Sequence, residues 1–128
     1  MVSTILYDKQ EADGFGPGAN ETGVIVYELP EKIATDIQKI GIDYLNKLPS
    51  TQEDRQIGKL KWKSTPIWDW DGLSEYLTYY GHRVDIDSRL ETEIDRAMST
   101  PGNYFAKKRI GVLIVIPKTS RVVFAYRG

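Results

Sequence analysis

The 128-residue chain has no cysteine and a single histidine. Without cysteine there is no disulfide framework, no thiolate nucleophile and no Cys-rich metal centre. With one histidine, any Ser-His-acid triad must be built on His82. Its neighbours are Gly81 and Arg83, and no nucleophile-elbow sequence occurs in the chain. A histidine near a helix C-terminus is accounted for by the helix dipole without any chemistry. Long apolar runs are also missing. The longest, IGVLIVI at 110–116, is of strand length, far short of the roughly 18 residues that a membrane span needs. The first residues, MVSTILYDKQEADG, have neither the basic start nor the apolar core of a signal peptide. These absences lead us to expect a cytoplasmic protein with no membrane insertion. There are no internal repeats and no low-complexity tracts, and the length suits one domain over residues 1–128.

What the chain does contain is unevenly spread charge. The net charge is -1. Residues 66–96 nevertheless hold 8 Asp/Glu against 3 Lys/Arg, and residues 97–128 hold 6 Lys/Arg and no acid. A neutral total thus conceals an acidic middle and a basic end. Such segments either compensate each other in the fold or face charged partners.

The apolar patterning predicts an α+β fold: a mainly antiparallel sheet of about five strands with about three helices. VSTILY (2–7) and GVIVYE (23–28) read as strands. Pro30 opens a helix whose apolar stripe is Ile33, Ile37, Ile40, Tyr44 and Leu48. Gly41 weakens that helix and Pro49 ends it. GKLKWKS (58–64) alternates, with Leu60 and Trp62 on one side and Lys59, Lys61 and Lys63 on the other. Asp69 or Asp71 is placed to cap a helix containing Leu73, Tyr76, Leu77 and Tyr80. SRLE (88–91) has the form of a capping box opening a further helix that buries Leu90, Ile94 and Ala97 or Met98. RIGVLIVIP and RVVFAY flank KTS and predict a hairpin. Both strands are apolar on both faces, so the hairpin belongs in the middle of the sheet.

Four constellations bear on chemistry. GFGPG in the loop at 13–20 leads into a strand rather than a helix and lacks a P-loop's Lys-Ser/Thr, which argues against phosphate binding. The pairs Asp69/Asp71 and Asp85/Asp87 can each aim two carboxylates at one divalent cation. Each pair also precedes a helix, where Asp is explained by capping, and we prefer that reading. The stripe of Lys59, Lys61 and Lys63, with Lys107, Lys108 and Arg109 beside Tyr104 and Phe105, suits phosphates and bases. Lysines on an edge strand also guard against unwanted strand pairing, and we prefer that reading, since the chain is net negative.

The fourth constellation is TPIWDWDGLSEYLTYYGHR at 65–83, where Trp68, Asp69, Trp70, Asp71, Glu75 and Tyr79 gather surplus aromatics and carboxylates. Such a patch is suited to a basic protein partner. The sequence therefore favours a small, non-catalytic protein-binding domain of the inhibitor, immunity or accessory type. It needs no cofactor or metal, and a homodimer is compatible with it. The alternative is a divalent-metal-dependent hydrolase or nuclease using Asp69, Asp71, Asp85 and Asp87. A third reading is a weak nucleic-acid-binding module.

Overall fold

The computed structural model describes residues 5–13, 20–47, 60–78, 85–108 and 111–127. The expectations for the Gly-rich loop, for Leu48 and Pro49, and for Lys59, Tyr79, Tyr80, His82 and Arg109 lie outside these residues.

The fold is α+β, built on one antiparallel sheet of six strands in the order β1-β2-β6-β5-β4-β3. The strands are β1 (Ile5–Asp13), β2 (Asn20–Glu28), β3 (Trp62–Ser64), β4 (Tyr104–Lys107), β5 (Gly111–Ile116) and β6 (Arg121–Arg127). The β5–β6 hairpin fills the two central places, as its two-sided apolar pattern predicts. A 3-10 turn, Pro117–Thr119, joins its strands. At Gly111 the strands approach so closely that a Cβ would run into the Ala125 carbonyl oxygen. Strand β4 is the addition to the five expected. Four residues are too few for alternation to stand out, and its burial (Phe105 and Ala106 adjacent) does not alternate.

Four helices are present among the described residues: α1 (Glu31–Ile40), α2 (Ile42–Asn46), α3 (Leu73–Leu77) and α4 (Ser88–Ser99). They cover both faces of the sheet. On one face, α3 and α4 contribute Leu73, Leu77, Leu90, Ile94, Ala97 and Met98 to a core with Val112, Ile114 and Ile116 of β5 and Val123 and Ala125 of β6. On the other, Ala34 and Ile37 of α1 and Leu45 of α2 pack on Val115 and Val122. Fully burying a Leu, Ile or Met side chain contributes roughly 1.5–3 kcal/mol, so both layers matter to stability.

The helix expected from Pro30 onward is divided. Gly41 adopts φ 86, ends α1 through its N–H to the Ile37 carbonyl, and restarts the chain as α2. L-residues rarely take that conformation and glycine takes it freely. The break rotates the apolar stripe: Ile40 is left exposed while Leu45 is buried. Strand β3 is an edge strand with Lys63 exposed in it and Lys61 exposed just before it, and its first residue is pinned by the Trp62 N–H to Asn46 Oδ1 of α2 (3.2 Å).

Candidate protein-contact surface

The surface at 65–78 is assembled by α4, which lies beside it. Helix α4 begins at Asp87, whose carboxylate accepts from the Arg89 N–H at 3.0 Å. Asp87 thus caps one residue earlier than the expected Ser88. Glu91 does not reach back to close a capping box; its Oε2 accepts from the Ser74 hydroxyl of α3 at 2.6 Å. One turn further along, Asp95 Oδ1 accepts from the Leu73 N–H (2.8 Å) and from Trp70 Nε1 (3.0 Å).

The carboxylate serving the start of α3 is therefore delivered from α4. The expected caps, Asp69 and Asp71, do not supply it, and Gly72 occupies the N-cap position with no side-chain bond of its own. The reason is steric proximity: α3 starts against the middle of α4, so a carboxylate 22 residues away in sequence reaches its N–H.

The structure separates the two tryptophans. Trp70 is half-buried, stacks on Tyr76 with ring centroids 5.6 Å apart, and packs against the core. Trp68 is 95% exposed, at the apex of a turn. Asp69, Asp71 and Glu75 in the same segment are exposed as well.

This turn is anchored from below. Thr65, at its foot, is buried and precedes a cis Thr65–Pro66 peptide. Its hydroxyl donates to the Thr100 carbonyl and accepts from the Asn103 N–H, and its own N–H donates to the Asn103 carbonyl at 2.9 Å. The Asn103 side chain donates to the Ala97 carbonyl at 3.1 Å, and the Ile67 N–H donates to the Met98 carbonyl at 2.9 Å. Four of these hydrogen bonds fix residues 65–67 to the end of α4 and the loop after it, and the bond from Asn103 to Ala97 ties that loop back to the helix. Satisfied buried networks of this kind hold backbone in one conformation.

The carboxylates are not gathered for metal. No group of three or more His, Asp or Glu among the described residues could hold an ion. Asp87 is engaged at its cap, and Asp85 also has a partner.

Sequence reasoning missed Asp95, Thr65 and Asn103. Asp95 reaches Leu73 across 22 residues, and Thr65 meets the Asn103 backbone across 38, and local rules do not reach that far. The available hint was Trp70, whose indole N–H requires a partner when covered.

No protein-family model, no curated protein sequence and no solved structure matches the chain.

Proposed function

We propose that the chain is a small, non-catalytic protein-binding domain that engages a basic partner protein through the turn at 68–75. The observation that carries this reading is Trp68, 95% exposed on a turn whose foot is locked by buried hydrogen bonds. A backbone already held in one conformation loses little freedom when the tryptophan it carries docks, and preorganisation of this kind favours affinity. Tryptophan is also among the residue types that most often dominate binding energy. Asp69, Asp71 and Glu75 are exposed in the same segment and steer a positively charged surface into place. A role of the inhibitor, immunity or accessory kind accords with this arrangement.

The test is co-purification from native lysate with wild type and Trp68→Ala in parallel, followed by affinity measurement on the captured protein. Trp68→Ala should weaken binding by about 2 kcal/mol, roughly thirtyfold. Neutralising Asp69, Asp71 and Glu75 together should chiefly slow association and flatten its salt dependence. An identical capture profile and affinity for wild type and Trp68→Ala would remove the turn from the interface.

A further inference from the structure

The flank of α4 that faces away from α3 borders an open groove of about 640 Å³ at one end of the sheet. Arg89 and Arg96 line it from α4, and Lys118 lines it from the β5–β6 turn. Among the described residues no carboxylate pairs with any of these three cations. The one carboxylate in the lining, Glu93, is already neutralised: Arg121 Nη1 donates to both of its oxygens at 3.0 Å. The floor includes Ile116 and Tyr104.

We propose that this groove binds an acidic, extended segment of a partner protein. Its cations are spaced for a chain rather than for one small anion. Arg89 and Arg96 are two helical turns apart, about 10 Å along the axis, whereas an extended peptide advances about 3.3 Å per residue. Carboxylates four residues apart on one strand share a face and lie about 13 Å apart, a span within reach of two long arginine side chains, and a single phosphate or carboxylate meets only one. Side chains between the carboxylates rest on Ile116 and Tyr104. A nucleic-acid strand suits the groove less well. The exposed carboxylates of the 68–75 turn lie beyond the other flank of the same helix, and the whole chain is net negative, so a long polyanion meets repulsion past the groove. The groove shares no proposed contact residue with the turn, so either reading stands or falls alone.

The experiment is fluorescence anisotropy on the full chain with a short fluorescein-labelled Glu/Asp-rich peptide, and with its Gln/Asn counterpart as control. The acidic peptide should bind, and binding should weaken as salt is raised. Arg89→Gln with Arg96→Gln should reduce affinity by tenfold or more, Lys118→Gln less, and Trp68→Ala not at all. All three cations are surface residues, so these variants should melt like wild type. The proposal is overturned if the acidic peptide fails to bind or binds the double variant equally well. It is also overturned if inorganic phosphate competes as effectively as the peptide, or if an oligonucleotide of equal charge binds more tightly. Sedimentation supplies the last check: self-association lost in both the arginine double variant and Trp68→Ala would assign the groove to a second copy of this chain instead.

Discussion

The turn at 68–75 and the groove beside Arg89 and Arg96 lie on opposite flanks of one helix and are built in opposite ways. The turn projects, with an aromatic apex, acidic surroundings and a polar anchor. The groove is concave and basic, with an apolar floor. The difference shows how poorly a charge census describes a surface. Residues 66–96 hold eight carboxylates. Asp87, Glu91, Glu93 and Asp95 are occupied in caps, a hydroxyl contact, an ion pair and the join to α3. Asp85 also has a partner, which leaves Asp69, Asp71 and Glu75 as the acidic outer surface of the turn. The arginines of the same helix follow the reverse rule, since Arg89 and Arg96 are left to solvent while their acidic neighbours are engaged.

The contrast can be broken or sharpened by substitution. The largest effect should come from Ile114→Asp, which places a charge at a fully buried position beneath α3 and α4. An unpaired buried ion costs several kcal/mol, comparable to the stability of a domain. Both surfaces should be lost, and circular dichroism should show no cooperative melt. A melt close to wild type would refute the central placement of β5.

Asp95→Ala should break one side only. It removes the acceptor shared by Leu73 and Trp70, and losing a partly buried charged acceptor of two donors costs about 2 kcal/mol. Denaturant unfolding should register that loss and Trp70 fluorescence should change, while acidic-peptide binding in the groove persists. Arg121→Met sharpens the other side. It frees Glu93 to repel the peptide, so affinity should fall severalfold, while stability falls by about 1 kcal/mol or less because the pair is partly exposed. The smallest effect on stability belongs to Trp68→Ala, within about 0.5 kcal/mol, because the ring touches mainly water. A larger loss by thermal or denaturant melting would mean that Trp68 is structural.

Much of the architecture was legible in the sequence where one local pattern decides the outcome. The two-sided apolar run from Val112 to Ile116 placed the hairpin centrally, and the alternating lysines around Trp62 marked an edge strand. Gly41 marked a weakness, although its consequence, a full restart that exposes Ile40, depends on the φ that glycine adopts. Of the candidate site, the sequence picked out Trp68, Asp69, Trp70, Asp71, Glu75 and Tyr79 without separating exposed from covered side chains, and it assigned the caps by proximity along the chain. Caps are set by proximity in space, and Asp95 is nearer to α3 than its position implies. The groove left a fainter trace. Arg89 and Arg96 stand seven residues apart and off the buried stripe of Leu90, Ile94 and Ala97, which is visible in retrospect. Nothing in the sequence brings Lys118 to face them.

Strand β6 sits between β2 and β5, and its pairing with β2 joins residues a hundred positions apart, with Val24 opposite Ala125. During synthesis, β2 therefore emerges long before its central partner exists. Until residues 121–127 are made, the inner edge of β2 has no native neighbour, and β5 lacks one of its two. Closing so long a loop places this sheet among slow-folding topologies, in the millisecond-to-second range rather than microseconds. In the interval, Val24, Val26, Ile114 and Ile116 stand exposed on half-built sheet edges, the condition that invites aggregation in a nascent chain. Completion of the final strand closes the central ladder and brings β2, β5 and the helices of both faces into one cooperative unit.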